Sequence, residues 1–221
     1  MTYHPGVVLA FVAVAYVCGA IPFGVLIGRL NGVDPRNIGS GNIGATNVLR
    51  ALGPMAATLV LALDLLKGFL PVWFVANVPT HPATLMGAGW AECVIVSTAV
   101  AAMVGHNWSI FLRGKGGKGA STGFGVVLAL DWRVAVLIGT VFIVIVLVTR
   151  YVSLGSTLGA WCVPLGLWYW HRGTIQMAPL VGFGLAAALL ITFKHRANYK
   201  RLLNGTESKF ATAAPPNEFS G

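Results

Sequence analysis

The first segment of this sequence that could perform chemistry covers residues 38–50, where glycines alternate with small polar side chains. Ser40 or Asn42 can cap the amino-terminal end of a short helix, and Gly53 can end it. The free backbone N–H groups at a helix start attract anions. The segment therefore predicts a short helix whose first turn faces a phosphate group.

One face of this predicted helix carries three side chains suited to phosphate. Thr46 and Arg50 are four residues apart and Asn47 and Arg50 are three apart, so a hydroxyl, an amide and a guanidinium share that face. A guanidinium can bind phosphate through two parallel hydrogen bonds. This face is typical of an anion site.

A second candidate segment, residues 105–119, ends in a run of glycines and cations. Lys115 and Lys118 supply charge, and the glycines between and after them let backbone N–H groups turn toward one centre. Both segments also contain a G-x-G-x-x-G pattern, which in a dinucleotide-binding fold follows a strand and opens a βαβ unit. Apolar runs typical of membrane helices precede both segments here, so a dinucleotide site is disfavoured.

Two more segments carry polar side chains at helical spacing. Ser153 and Ser156 are three residues apart and can share a face, although ordinary hydroxyls at a helix end are the alternative interpretation. In residues 194–207, Asn198 and Arg201 fall on one helical face, with His195 at its edge. A simple basic anchor at a lipid surface would explain the cations of that segment equally well.

The composition indicates which elements must position these residues. The chain is 56% hydrophobic and only 10% charged, whereas a soluble domain has about 25% charged residues. An all-α integral membrane bundle is therefore predicted. Seven apolar runs supply its spans: 6–30, 54–79, 86–104, 119–130, 134–149, 156–170 and 177–193. The fourth to sixth runs are short, and the fourth and fifth could form one element interrupted at Asp131.

The placement of the cations predicts the orientation of the bundle. Most of the 15 Lys and Arg residues, which outnumber the 6 acids, follow the first, third, fifth and seventh runs. With about seven transmembrane helices, all these loops lie on one side, which the positive-inside rule makes cytoplasmic. The amino terminus is then outside and the carboxyl terminus inside. Residues 1–203 form the membrane domain, and residues 204–221 are predicted to be a polar, disordered tail.

These segments together resemble the bacterial acyl-phosphate:glycerol-3-phosphate acyltransferase family. The resemblance rests on Ser40–Arg50, on Gly105-His106 followed by Lys115–Thr122, and on His195–Glu207, which are similar to three motifs of that family in order. It covers nearly the whole chain. Two loop positions depart from the pattern, because the family often has proline where Ser109 stands and an aromatic residue where Gly114 stands.

The resemblance implies a multi-pass bacterial inner-membrane enzyme with its site facing the cytoplasm. Such an enzyme transfers an acyl group from acyl phosphate to position 1 of glycerol 3-phosphate, giving lysophosphatidic acid in the first step of phospholipid synthesis. The implied partners are both substrates, membrane lipids and a further acyltransferase that supplies the donor. Neither a metal, a cofactor nor nucleic acid is expected.

A mechanistic hypothesis assigns the site residues by role. Ser40 would orient the acceptor hydroxyl, Lys118 would bind the donor phosphate and its developing charge, and His195 would help hold the acceptor phosphate. The proton of the acceptor hydroxyl would pass either to a substrate phosphate oxygen or to Glu207. The residues expected to bind phosphate are Asn42, Thr46, Asn47, Arg50, Lys115, Gly116, Gly117, Gly119, Ser153, Ser156, Asn198, Arg201 and Glu207.

Three other functions are compatible with parts of the sequence. A transporter of a phosphorylated metabolite would also place cations among helices, but near the middle of the membrane rather than at one face. A metal-dependent phosphotransferase needs clustered aspartates, whereas Asp34, Asp64 and Asp131 are far apart. A non-catalytic lipid-binding scaffold does not need polar loops converging on one face.

Asp64 and Lys67 either pair with each other inside the second run or contribute a cation to the site.

Overall fold

The computed structural model describes residues 5–77 and 88–210, in which the regular elements are helices. In chain order they are α1 (Pro5–Ala20), α2 (Phe23–Leu30), α3 (Ala45–Leu52), α4 (Pro54–Asn77), α5 (Ala88–Asn107), α6 (Ala120–Leu130), α7 (Trp132–Thr149), α8 (Val152–His171), α9 (Met177–Lys194) and α10 (Arg196–Leu203). The ends of the second and third predicted runs near residues 78–87, and the predicted tail after residue 210, lie outside the described residues. The predicted all-α class is confirmed.

Five segments of the described chain are long and apolar enough to cross a membrane. They are Gly6–Leu30, Pro54–Asn77, Ala91–Leu112, Trp132–Thr149 and Met177–Lys194. Helix α8 has 20 residues, whereas α6 has 11 and is therefore only about 16 Å long. Each of the seven predicted runs contains a helix, but the number of crossings and the side of each terminus stay predictions.

Small residues allow the helices to pack closely. Helix α1 lies along α5, α4 along α6, and α8 between α7 and α9. A side chain at Gly105 would collide with the backbone of Tyr16, and one at Gly68 with the backbone of Thr122. Glycine at such helix contacts lets backbones approach each other, as is typical of membrane bundles.

The break between α1 and α2 is stabilised by side chains from two other elements. Ile21 and Pro22 form the break, since α1 ends at Ala20 and α2 begins at Phe23. The hydroxyl of Ser109 donates a hydrogen bond to the Ala20 carbonyl at 2.5 Å, and the ammonium of Lys67 donates to the Ile21 carbonyl at 2.7 Å. The break directs α2 toward the first glycine-rich segment.

Lys67 also forms a buried ion pair with Asp64 within α4. The Lys67 Nζ and Asp64 Oδ1 atoms are 2.7 Å apart, and both side chains are 3% exposed. Of the two alternatives left open by the sequence, the structure shows the pairing, because Lys67 does not reach the cavity described below.

A single residue separates α6 from α7. Asp131 accepts hydrogen bonds from the Arg133 backbone N–H at 2.8 Å and from its guanidinium, and its Oδ2 atom lies 3.0 Å from His171 Nε2. These contacts tie the α6–α7 turn to the last residue of α8. The fourth and fifth apolar runs are thus two helices joined at Asp131.

Candidate active site

A cavity of about 710 Å³ lies at one end of the bundle. Its walls come from the amino-terminal parts of α4, α6 and α8, from the carboxyl-terminal parts of α5 and α9, from the middle of α7, and from α3, α10 and the segment after α10. The predicted site residues that line it are Ser40, Asn42, Thr46, Asn47, Arg50, Lys118, Gly119, Ser153, Ser156, His195, Asn198, Arg201 and Glu207. Polar segments that are distant in sequence therefore meet at one end of the helices.

Asn47 holds the first glycine-rich segment in place. Its buried side-chain amide donates to the carbonyl groups of Pro35 at 2.8 Å and Ile38 at 3.0 Å. Its Oδ1 atom accepts from the Ser40 backbone N–H at 3.0 Å and from the Ser40 hydroxyl at 3.2 Å. The amide of Asn47 is thus occupied by the segment itself, and it fixes the position of the Ser40 side chain.

The start of α3 differs from the sequence prediction. Gly44 is the residue that precedes the helix, and neither Ser40 nor Asn42 caps it with a side-chain bond. Asn42 instead accepts a hydrogen bond from the Gly44 N–H at 2.8 Å, because the segment turns tightly before the helix begins. The end of α3 at Gly53, which has φ 83°, is as predicted.

The second glycine-rich segment folds back against the end of α5. The Gly117 N–H donates to the His106 carbonyl at 3.0 Å, and the Gly117 Cα lies so close to the His106 imidazole that a side chain there would collide with it. Gly119, with φ 86°, then starts α6 in a left-handed conformation that favours glycine. Together these turns direct Lys118 into the cavity.

The same fold leaves three predicted phosphate-binding residues outside the cavity. Lys115 is exposed, and Gly116 and Gly117 pack against the end of α5. The spacing of the glycines could indicate a loop whose N–H groups converge on an anion. It could not show that the loop turns outward at Lys115 and leaves that side chain in solvent. The part of this segment that reaches the cavity is its end, where Gly119, Ala120 and Ser121 line the wall at the start of α6.

A continuous set of hydrogen bonds joins α6, α8 and α10. Lys118 Nζ donates to Asn198 Oδ1 at 2.6 Å, and the Asn198 amide donates to Glu207 Oε1 at 2.6 Å. Ser153 also donates to Glu207 Oε1, at 2.9 Å, and Arg201 donates to Glu207 Oε2 at 2.8 Å. The carboxylate of Glu207 therefore binds three side chains, one from α8 and two from α10, and through Asn198 it also positions Lys118.

Burial and the neighbouring charges shift the pKa values of Lys118 and Glu207. Burial, reinforced by the nearby Arg201, lowers the pKa of Lys118 to about 8, although Glu207 opposes the shift. For Glu207 itself, burial would raise the pKa, but the hydrogen bonds from Asn198, Ser153 and Arg201 outweigh it and the pKa is lowered. At neutral pH the site thus combines a cationic Lys118 with an ionised Glu207.

His195 enters the cavity as a neutral ring. Its Nδ1 atom lies 2.8 Å from the Ile191 carbonyl, which can only accept, so Nδ1 carries the proton. Burial lowers the pKa of His195 to about 4. The Nε2 atom is therefore unprotonated near neutral pH and accepts hydrogen bonds rather than supplying positive charge.

Arg50 is the second cation of the cavity wall. Its guanidinium makes no hydrogen bond within the described residues, and burial lowers its pKa, with Glu207 opposing the shift. An arginine remains charged despite such a shift. Its donors are therefore available to an anionic ligand.

The deeper wall of the cavity is apolar. The lining residues there are Phe124, Val127, Ile138, Phe142, Ala160 and Val163. A polar, cationic mouth above an apolar interior suits an amphiphile with an anionic head. The sequence analysis placed these apolar residues in helices but had no signal for which of them would face a cavity.

The structure also brings residues to the cavity that the sequence did not single out for it. They are Thr58 and Asp64 of α4 and Ser208 and Phe210 of the segment after α10; His106, which belongs to the second predicted segment, lines the wall as well. Within residues 5–77 and 88–210, no three His, Cys, Asp or Glu side chains group as metal ligands would.

Comparison with known proteins identifies similar chains. The sequence profile of a family described as glycerol-3-phosphate acyltransferase matches residues 9–205. A glycerol-3-phosphate acyltransferase of Nostoc sp. is 39% identical over 208 residues, covering 90% of each chain. The protein of the same name from Geobacter sulfurreducens is 41% identical over 203 residues, covering 91% of this chain and 97% of its own.

Solved structures are similar over nearly the same length. The crystal structure of PlsY, an integral membrane glycerol 3-phosphate acyltransferase, in its glycerol 3-phosphate form superposes with a TM-score of 0.82. That chain is 39% identical, and the match covers 94% of this chain and 97% of the other. Its lysophosphatidic acid form gives a TM-score of 0.79 at 37% identity.

Proposed function

The chain belongs to the glycerol-3-phosphate acyltransferase family, and on that premise we propose that it transfers a fatty acyl group from acyl phosphate to position 1 of glycerol 3-phosphate. The products are lysophosphatidic acid and inorganic phosphate. The observation that carries this proposal is the cavity itself, whose mouth holds Lys118, Arg50 and Arg201 and whose interior is apolar. One site of this kind can hold two phosphate groups and an acyl chain.

The donor phosphate fits the region around Lys118. The ammonium lies beside the first turn of α6, where Ala120 and Ser121 line the cavity and the N–H groups have no partner within the helix. Such N–H groups and a lysine together stabilise the charge that develops on a departing phosphate. The acyl chain would extend from there toward Phe142 and Val163.

The acceptor fits between the first segment and α10. The Arg50 guanidinium, with its unused donors, would bind the phosphate of glycerol 3-phosphate. Ser40 keeps an acceptor lone pair, because its hydroxyl proton is directed to Asn47. Together with the unprotonated Nε2 atom of His195, it would accept a hydrogen bond from the glycerol hydroxyl and orient that group. We therefore assign His195 to the hydroxyl rather than to the phosphate.

The reaction proceeds by direct attack without an acyl-enzyme. The glycerol hydroxyl oxygen forms a bond to the acyl carbon, and the bond from that carbon to the phosphate oxygen breaks. The hydroxyl proton passes to a substrate phosphate oxygen. Glu207 is a poor base for this step because its pKa is lowered and both carboxylate oxygens already accept hydrogen bonds.

Transfer by the purified protein tests the proposal. Wild-type protein with palmitoyl phosphate and glycerol 3-phosphate should form lysophosphatidic acid, whereas palmitoyl-CoA should not replace palmitoyl phosphate. A matched pair of variants, Lys118→Met inside the cavity and Lys115→Met outside it, controls for the loss of a lysine. Equal rates with palmitoyl-CoA would contradict the assigned donor, and flux of glycerol 3-phosphate into vesicles without transfer would favour a transporter.

The orientation forms a second part of the proposal. The cavity end of the bundle carries most of the basic loops, so it should face the cytoplasm of a bacterial inner membrane, with the amino terminus outside. Donor acyl phosphate would then come from a cytoplasmic or membrane-associated acyltransferase. In a cysteine-free background, Lys115→Cys should react with an impermeant maleimide only after permeabilisation, whereas Ile175→Cys, in the opposite loop, should react in intact cells. The reverse pattern would refute this orientation.

A further inference from the structure

Residues 206–210 form a strap across one side of the cavity mouth. The strap begins where the Thr206 N–H donates to the Arg201 carbonyl at 2.8 Å. It ends at Phe210, whose N–H donates to the Arg150 carbonyl at 2.6 Å. The Arg150 guanidinium in turn donates to the Phe210 carbonyl at 3.2 Å. The sequence analysis assigned this stretch to a polar tail, but the strap is fastened at both ends.

The strap forms part of the cavity wall where the chain is also in contact with solvent. Glu207, Ser208 and Phe210 line the cavity on its inner side. Ser208 and Lys209 are nevertheless exposed to solvent, and Phe210 is 41% exposed. A segment that lines the cavity and is also in contact with solvent is placed to affect the access of water at that position.

The two ends of the strap lie over different parts of the site. Glu207 contacts Ser153 and the polar set around Asn198. Phe210 is bound to Arg150 at the α7–α8 turn, where Val152 lines the cavity, and Phe142 continues the apolar wall further along α7. The four residues from Glu207 to Phe210 span at most about 13 Å. The strap therefore runs along the junction between the cationic mouth and the apolar interior.

The reacting carbon of an acyl phosphate occupies the same kind of junction. It lies between an anionic phosphate, which fits the mouth, and an alkyl chain, which fits the interior. A donor bound as proposed above would thus place its carbonyl group beneath the strap, near Phe210. Phe210 is the only apolar side chain among residues 206–210 and it lines the cavity, so it is placed to screen that carbon from water.

We propose that Phe210, held in place by Arg150, excludes water from the bound acyl phosphate and so determines that the acyl group goes to glycerol 3-phosphate rather than to water. This inference rests on the proposed function. Hydrolysis differs from transfer only in the nucleophile: a water oxygen bonds to the acyl carbon, the bond from that carbon to the phosphate oxygen breaks, and a fatty acid and inorganic phosphate result. Exclusion of water is a recognised way to prevent this side reaction.

The test measures inorganic phosphate and lysophosphatidic acid in the same reaction with palmitoyl phosphate. Wild-type protein should release equal amounts of both. Phe210→Ala should raise the ratio of phosphate to lysophosphatidic acid several-fold and should release phosphate even without glycerol 3-phosphate. Phe210→Leu, which restores an apolar cover, should return the ratio close to that of the wild type. Phe111→Ala, which removes an exposed phenylalanine away from the cavity, is the matched control.

A second variant tests the fastening independently of the phenylalanine. Arg150 has φ 62°, so Arg150→Gly tolerates the backbone conformation while removing the guanidinium that binds the Phe210 carbonyl. It should raise the same ratio, to a smaller extent than Phe210→Ala. It also serves as the test if Phe210→Ala fails to fold. An unchanged ratio in the folded variants would overturn the inference.

Failure of this inference can be distinguished from failure of the proposed function. Wild-type protein that forms no lysophosphatidic acid from palmitoyl phosphate contradicts the proposed donor, whatever the variants do. Wild-type protein that transfers efficiently, combined with variants that lose transfer and hydrolysis together, shows that the strap supports the site but does not exclude water.

Discussion

The Lys118 ammonium and the Asn198 side-chain oxygen, which lie 80 residues apart in sequence, are joined by a hydrogen bond of 2.6 Å. This contact links the start of α6 to α10. Because Asn198 also donates to Glu207, the position of the lysine depends on the carboxylate in the strap. The site is therefore one connected unit, and substitutions in it should affect activity in related ways.

Lys118→Met should reduce kcat/KM for lysophosphatidic acid formation by about 100-fold or more, the usual cost of removing one donor that stabilises developing charge. Lys115→Met should have a much smaller effect, because that lysine is exposed and does not line the cavity. Assays of both variants at equal protein concentration compare the two. Equal losses would show that both lysines contact substrate, as the sequence hypothesis assumed.

Activity should fall as pH rises through the Lys118 pKa of about 8. A lowered lysine pKa means that the charged form is complete below this value and is lost above it, so the donor phosphate loses a cation. The profile of kcat/KM against pH reports the ionisation of the free enzyme. Lys118→Arg, which stays charged at all these pH values, should retain lower activity without the alkaline decline. A decline that persists in Lys118→Arg must come from another group.

Glu207→Gln should lower the rate about ten-fold or more without shifting the acidic limb of the pH profile, because one hydrogen bond to a charged partner is worth about 1.5–3 kcal/mol. The new amide would present N–H groups toward Arg201, which also donates, and would disturb Asn198. If a phosphate oxygen takes the proton, the acidic limb should reflect phosphate ionisation near pH ~6 in both proteins. Movement of that limb in Glu207→Gln would instead identify the carboxylate as the base.

Much of this site could be predicted because local sequence determines it. Helix α3 and its end at Gly53 follow from residue spacing and from glycine chemistry. The helical face that carries Asn198 and Arg201 follows from the 3.6-residue period. These features depend on residues within a turn or two of each other.

The remaining features depend on contacts between distant residues. Lys115 and Lys118 have similar neighbours in sequence, and only the packing of Gly117 against His106 decides which of them enters the cavity. Residues 204–210 are polar and contain no periodic pattern, so their attachment through Arg150 and Glu207 could not be read from composition. These two features are determined by contacts in the tertiary structure and not by local sequence.

Lys67→Met should destabilise the protein by about 3–5 kcal/mol, because it leaves the buried Asp64 carboxylate without its partner. It also removes the hydrogen bond to the Ile21 carbonyl at the α1–α2 break. The double variant Asp64→Asn/Lys67→Met should recover part of the loss, since no lone charge remains. Thermal unfolding in detergent measures this, with exposed Lys200→Met as control. A Lys67→Met midpoint equal to that of Lys200→Met would refute the structural role.

Substitutions at Ser109 test why serine is compatible with a position at which the family often has proline. Its φ of −65° is the value to which proline is restricted, and its N–H makes no hydrogen bond within the described residues. Ser109→Ala removes only the bond to the Ala20 carbonyl and should cost about 1–3 kcal/mol, the penalty for an unsatisfied buried group. Ser109→Pro loses the same bond but restricts the unfolded chain, which returns about 0.4–1 kcal/mol.

The expected order of unfolding midpoints in detergent is therefore wild type, then Ser109→Pro, then Ser109→Ala. Thr140→Ala is a suitable control, because its hydroxyl bonds only to the Val136 carbonyl of its own helix and its loss should change the midpoint little. If Ser109→Ala were as stable as the wild type, the hydroxyl would not support the α1–α2 break. If Ser109→Pro were the least stable of the three, the loop would need a conformation that proline cannot adopt, despite the observed φ.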